Sequence, residues 1–221
     1  MSRWVRGDEV CALLGGGGYA EAVAVHEDLV LRAPGGVDLV DAAGLVESAC
    51  TVWSNLDIAR GLPGETLLVH GGAGGIGAMA IQYARTLGMR VIATAGNRER
   101  VQACLDLGAH HAIDYHAQDF ESVVSELGGA DVILDVVGAA YLQRNLAALR
   151  SGGRLVVIGL QQGATGQIDL GALLTRRLSV IGTSLGRGLT RRKWQSCAGW
   201  SATSGLTFLR RFDRSPTRTI S

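Results

Sequence analysis

The sequence has no C-x-x-C pair and no two cysteines at metal-ligand spacing. Its four cysteines, Cys11, Cys50, Cys104 and Cys197, stand far apart, so neither a zinc ribbon nor a thioredoxin-like redox pair is legible. They read as small buried thiols in a reducing compartment. An apolar signal core is also missing: Met1 to Asp8 carries two arginines, and the start does not read as a secretory signal. No uninterrupted apolar run is long enough to span a bilayer. The expectation is a soluble, cytoplasmic protein with no membrane partner. Net charge is small at +1, but it is the sum of two unlike segments. From Gly186 onward there are eight basic residues and one acid, a net +7, while the remainder holds 13 basic and 19 acidic residues, a net −6.

What the chain does have is glycine and alternation. The 32 glycines among 221 residues sit at turns between apolar runs, which points to tight loop chemistry rather than a linker. Residues 1–34 read as short strands at Glu9–Leu14, Tyr19–Val25 and Leu29–Arg32, broken by Gly15–Gly18 and Pro34. Three strands without a helix make a poor core by themselves. Residues 35–64 read as a linking helix, with Leu39, Val46, Cys50, Trp53 and Leu56 near a helical repeat and Leu62-Pro63-Gly64 ending it. Residues 65–185 alternate strand and helix. Strands are expected at Leu67–His70, Arg90–Thr94, Ala112–Tyr115, Val132–Val137, Arg154–Leu160 and Leu178–Ser184. Helices are expected after Gly75, from Asn97 to Leu107, and over Asp119–Leu127, Tyr141–Leu149 and Leu170–Arg177. That order predicts an α/β fold, a Rossmann doubly wound parallel sheet with helices on both faces. Residues 186–221 show no period and read as a basic, disordered tail.

The chemistry concentrates at one turn. The strand Leu67–His70 runs into Gly71-Gly72-Ala73-Gly74-Gly75-Ile76-Gly77, and an amphipathic helix follows. Gly72, Gly74 and Gly77 fit G-x-G-x-x-G. In that fingerprint the first glycine allows the tight turn, the second lets the backbone approach a pyrophosphate, and the third lets helix and strand pack closely. The helix N-terminus adds free N–H groups and a partial positive charge.

Which dinucleotide is expected depends on the end of the second strand. NAD sites usually place Asp or Glu there to accept from a ribose hydroxyl. Here the text is Ala95-Gly96-Asn97-Arg98-Glu99-Arg100, with no acid at the strand end and two arginines beyond it. A 2′-phosphate is repelled by carboxylate and held by guanidinium forks. NADPH is therefore the expected cofactor, with Arg100 the first choice of ligand, Arg98 the second and Asn97 beside them. The competing reading is a solvated charge cluster at a helix start, which Glu99 suits.

Longer matching text runs through the chain: GDEVCALLGGGGYAE at 7–21, ETLLVHGGAGGIGAMAIQYAR at 65–85, VIATAG at 91–96, LGAHHAIDY at 107–115, DVILDVVG at 131–138 and GGRLVVIG at 152–159. Together these resemble the zeta-crystallin-like quinone oxidoreductase branch of the medium-chain dehydrogenase/reductase superfamily. The resemblance implies an NADPH-dependent, zinc-independent reductase, with residues 1–34 a small β remnant of a GroES-like catalytic domain whose first part is absent. It implies that Arg100 and Tyr115 clamp the 2′-phosphate and that Gly75 and Ile76 touch the pyrophosphate. Val137-Gly138 and Gly159-Leu160 would border the nicotinamide ribose and ring, and Thr51 would lie near the nicotinamide. After Gly186–Gly188 the text departs from the family pattern.

Three functions are carried forward. The first is hydride transfer to a quinone or activated alkene. The second is an NADPH-binding fragment with impaired turnover because most of its substrate domain is missing. The third, and weakest, is a nucleic-acid binder acting through the basic tail, which has phosphate-seeking charge but no recognised motif. No catalytic acid or base is assigned: His70 reads as structural, as does Asp135, and His110, His111 and His116 have no metal-like partner. A homodimer through the edge strand 178–184 is a further expectation, since relatives of this kind hide that edge by pairing.

Overall fold

The protein is described from a computed structural model covering residues 3–184. The basic tail, and every expectation placed on it, lies outside those residues. The described chain divides into two units, 3–54 and 55–184.

In the first unit, β1 (Val10–Ala12) pairs antiparallel with β2 (Val30–Arg32), Cys11 opposite Leu31. The helix α1 (Leu39–Ile58) begins in this unit. Cys11, Leu31, Ala42, Val46 and Cys50 form its small apolar core. The expected strand over Tyr19–Val25 does not form, and Tyr19 is fully exposed. A strand of that composition is stable only against a neighbour. Among the described residues, Gly16 and Gly17 turn the chain with positive φ just before it, and no ladder partner is offered.

The second unit holds β3 (Thr66–Val69), α2 (Gly75–Thr86), β4 (Arg90–Ala95), α3 (Arg98–Asp106), β5 (His111–Asp114), α4 (Phe120–Glu126), β6 (Ala130–Asp135), α5 (Leu142–Ala148), β7 (Leu149–Val157), α6 (Leu170–Arg176) and β8 (Ser179–Gly182). The six strands from β3 to β8 form one sheet in the order β5-β4-β3-β6-β7-β8, all parallel. The order reverses between β3 and β6, which is the topological switch of a doubly wound sheet. The central strands are continuous apolar runs because helices cover both faces. Leu68, Ile92, Ile113, Ile133 and Leu155 form one fully buried layer, packed by Phe120, Val124 and Leu146 from α4 and α5. Among the described residues no helix is long and apolar enough to cross a membrane.

Local chemistry sets the helix starts. Asn97, Asp119 and Asp169 each accept a backbone N–H through the side chain, from Arg100, Ser122 and Ala172 at 2.8, 3.1 and 3.0 Å. These are N-caps, each stabilising by about 1 kcal/mol. Arg154 ties down the approach to β3: its guanidinium donates to the carbonyls of Ala59 and Arg60 and to both oxygens of Glu65. The expected start of β7 at Arg154 is corrected to Leu149. The Ser151-Gly152-Gly153 segment is an irregularity inside the strand, with the ladder to β6 stepping from Ala130↔Leu149 to Val132↔Arg154.

The tightest packing lies between β3 and α2. A Cβ on Gly77 would stand 2.2 Å from the Gly71 carbonyl oxygen and 2.7 Å from the Gly72 Cα. Both obstacles are backbone and cannot swing aside. Gly77→Ala is therefore expected to lower stability by about 3 kcal/mol, with the melting temperature falling by roughly 10 °C in calorimetry. A melting temperature within about 2 °C of the parent would contradict this contact.

Candidate functional site

The parallel register brings the C-terminal ends of β3 to β7 to one edge of the sheet, since Val69 pairs with Ala93 and Leu134, Ala95 with Asp114, and Asp135 with Val157. Every sequence-predicted site residue of the second unit follows one of those ends. Gly72, Gly74, Gly75, Ile76 and Gly77 follow β3. Asn97, Arg98 and Arg100 follow β4, Tyr115 follows β5, Val137 and Gly138 follow β6, and Gly159 and Leu160 follow β7. Thr51 belongs to the other unit and is buried on α1.

The glycines of the turn have separate tasks. The left-handed turn falls at Gly71, with φ of 70°, not at Gly72. Gly72 is glycine for packing instead, since a Cβ there would stand 2.8 Å from both Ala93 Cβ and Cys104 Sγ. Gly74 is the N-cap of α2 and is exposed, with φ of −82°, a backbone any residue adopts. A Cβ at Gly74 would meet only the Gly71 carbonyl oxygen at 3.4 Å. The fold itself therefore gives no strong reason for glycine at 74. The space a Cβ would fill lies beside the helix N-terminus, where no side chain among the described residues caps the first-turn N–H groups of Gly75, Ile76 and Gly77. An anion approaching that backbone meets N–H donors and the positive end of the helix dipole.

At the neighbouring strand ends, Tyr115 lies across Gly96: a Cβ on Gly96 would stand 2.5 Å from the Tyr115 hydroxyl oxygen. Asn97 caps α3, so its side-chain oxygen is engaged with the Arg100 N–H. The Arg98 and Arg100 side chains are exposed and make no ion pair among the described residues. Two free guanidinium groups and a half-exposed phenol thus border the end of β4.

After β6, the buried carboxylate of Asp135 accepts the N–H of Val137 at 2.7 Å and of Gly138 at 3.1 Å. Burial pushes its pKa up, against the two N–H bonds that lower it. Gly138 has φ of 87°, and a Cβ there would be 2.6 Å from the Gly163 carbonyl oxygen. Gly159 is similarly closed in, since a Cβ there would be 2.7 Å from the Val136 carbonyl oxygen. The loops after β6 and β7 are laced together by Gln161 and Gln162 N–H bonds to the carbonyls of Val136 and Val137. Val137 is buried while Leu160 is 55% exposed. Asp135, expected from the sequence to be structural, thus accepts two backbone donors two and three residues on, the pattern of an Asx turn at a strand end.

His70 is buried at 2% exposure. Its Nε2 donates to Asn145 Oδ1 at 2.7 Å, and its Nδ1 lies 3.1 Å from Thr94 Oγ1. Burial pushes the imidazole down to about 4, with the Asn145 hydrogen bond opposing the shift and the Arg144 charge adding to it.

One family model and several relatives match the chain. The zinc-binding dehydrogenase model matches residues 75–202. The chain belongs to that family, within the medium-chain dehydrogenase/reductase superfamily. It is 31% identical to the quinone oxidoreductase of Mus musculus over 208 residues, covering 90% of this chain and 61% of that protein. To the 2-haloacrylate reductase of a Burkholderia species it is 34% identical over 176 residues, covering 75% of this chain and 53% of that protein. Among solved structures, the Thermus thermophilus quinone oxidoreductase, also solved with NADPH, superposes with a TM-score of 0.78 at 34% identity, covering 94% of this chain and 66% of that one. The Escherichia coli quinone oxidoreductase complexed with NADPH gives 0.71 at 28% identity, covering 82% and 58%. The chain thus spans a little over half the length of these curated relatives. Among the described residues, no group of three or more His, Cys, Asp or Glu could hold a metal ion.

The neutral state of His70 has a measurable consequence. Its folded pKa lies below the free value of 6.5, so the unfolded chain takes up the proton first as pH falls. The stability contributed by neutral His70 is complete above about pH 6.5 and is lost as pH falls toward 4, roughly 3 kcal/mol in all. Denaturant unfolding between pH 7 and 5 is expected to show this slope, and His70→Phe is expected to flatten it. An unchanged slope in that variant would assign the proton uptake elsewhere.

Proposed function

We propose that the chain binds NADPH across the edge formed by Gly71–Gly77, Gly96–Arg100, Tyr115, Val137-Gly138 and Gly159-Leu160, and serves hydride transfer to a quinone or activated alkene without zinc. The observation that carries the cofactor reading is Gly74. It is an exposed helix N-cap whose backbone and packing do not call for glycine, beside N–H groups that no side chain caps. A pyrophosphate is the anion that such a turn receives at the head of a doubly wound sheet. The complexes of two structural relatives with NADPH support the same reading.

NADPH supplies the hydride when bound. The chain's own residues bind and orient. The backbone of Gly75, Ile76 and Gly77 holds the pyrophosphate oxygens. Arg100, with Arg98, offers planar donors to the 2′-phosphate, and Tyr115 closes that subsite over Gly96. Asn97 acts through the backbone by fixing the first turn of α3. Asp135 orients the Val137-Gly138 turn beside the nicotinamide ribose, and Leu160 offers an exposed apolar face at the ring. Quinone or enone acceptors follow the names of the relatives, and a cytoplasmic setting is part of this reading.

Among the described residues, β8 is an edge strand of the six-stranded sheet, with Val180 40% exposed. Pairing of two copies along this edge would satisfy its free backbone groups. A monomer by sedimentation velocity at micromolar concentration would remove that proposal.

Fluorescence titration with NADPH and NADH tests the cofactor assignment. The chain is expected to prefer NADPH, and Arg100→Ala is expected to weaken NADPH by about tenfold while moving NADH by less than about twofold. Equal losses would remove the 2′-phosphate role of Arg100. NADPH oxidation with 1,2- and 1,4-quinones tests turnover, and tight binding without turnover would leave a cofactor-binding chain that is not a reductase.

A further inference from the structure

Beneath the glycine turn lies a buried polar chain that the proposed cofactor contacts do not use. We propose that Thr94 and His70 are positioning residues for the diphosphate: they fix Gly71, and through it the first turn of α2, in the conformation that receives the anion. This inference rests on the cofactor reading above.

Gly71 is held from below and holds what lies above. Its N–H donates to Thr94 Oγ1 at 3.4 Å, and the next N–H, of Gly72, donates to the Thr94 carbonyl at 2.8 Å. One residue of β4 therefore grips two successive donors of the turn. On its other side, the Gly71 carbonyl accepts the Gly74 N–H at 3.0 Å. The same oxygen lies where a Cβ on Gly77 would be 2.2 Å away. A shift of Gly71 must therefore move Gly74 and Gly77, the two ends of the first helical turn.

The Thr94 hydroxyl is directional only because of His70. The Asn145 amide oxygen takes the Nε2 proton, so the lone pair of the neutral ring is at Nδ1. The hydroxyl proton of Thr94 then points to Nδ1, 3.1 Å away, and its lone pairs turn toward Gly71. The ring plane is fixed by edge contacts with Phe120 and Tyr141, at centroid separations of 4.8 and 5.0 Å. Burial keeps the ring neutral, which preserves this direction.

The arrangement is poor as a purely structural device. The Nδ2 of Asn145 is buried and has no hydrogen-bond partner among the described residues. An orphaned donor of this kind is destabilising, and apolar side chains would fill the same space without it. Arg144 and Tyr141 lie near the ring, with Arg144 paired to Asp119. None of these groups replaces Thr94 as the contact to the turn.

The test separates diphosphate from adenosine. Thr94→Val keeps shape and removes the hydroxyl. NADPH affinity of the full chain is expected to fall about tenfold, while adenosine 2′-monophosphate, which has no diphosphate, changes by less than about twofold. Thr94→Ser is expected to restore NADPH binding. Amide exchange of Gly71–Gly77 is expected to quicken in the valine variant with β3 and β6 still protected. The paired change His70→Phe with Asn145→Leu leaves no polar orphan and is expected to give the same selective loss. NADPH binding within about twofold of the parent in either variant, or equal weakening of both ligands, overturns the positioning role. Failure of the unaltered chain to bind NADPH at all would instead remove the cofactor reading.

Discussion

The approach of one stretch of backbone to another governs this structure. Where β3 gives way to α2, the Gly71 carbonyl and Gly77 stand closer than any side chain would permit. Because they do, α2 starts directly above the strand end and its buried face can reach the sheet through Met79, Ala80, Ile81, Tyr83 and Ala84. The helix N-terminus is thereby placed at the switch between β3 and β6. A longer connection would move the uncapped donors away from the edge where the other strand ends converge.

Charge is distributed around that edge in two layers. Below, the buried polar groups are arranged to act without net positive charge. His70 is neutral, Thr94 is a hydroxyl, and the Asp135 carboxylate is spent on two backbone donors. Above, Arg98 and Arg100 are exposed. A polar group buried under the turn costs free energy unless its partners are fixed, while exposed guanidinium groups remain free for a ligand. The buried thiol of Cys104, raised to about 11 by desolvation, belongs to the inert lower layer.

Much of this was legible in the sequence because parallel strands and glycine turns write themselves in strong local patterns. Apolar runs such as 67–69 and 132–134 are buried on both faces, and Asn97 and Asp119 begin helices by the side-chain bonds their types favour. What local pattern could not show was long-range pairing. Tyr19–Val25 follows a glycine turn as a short strand would, yet it has no ladder neighbour among the described residues. The start of β7 was hidden by its internal glycines. At the turn, motif spacing gave Gly72 the left-handed role that Gly71 plays, because two adjacent glycines are indistinguishable without φ. The links from His70 to Asn145 and from Thr94 to the turn span 75 and 23 residues, and no periodicity reports them.

The contact of Tyr115 with Gly96 bears on how such a chain could change its preference among dinucleotides. The phenol occupies the space in which residue 96 would carry a side chain. An acid placed at 96, where it could meet a ribose hydroxyl, would first have to evict that ring. On the proposed cofactor reading, selectivity would be stored partly as shape, in the fit between neighbouring strands. Exchanging the arginines alone would leave the lock in place, and a route toward the unphosphorylated nucleotide runs through two coupled substitutions at the ends of β4 and β5 rather than one.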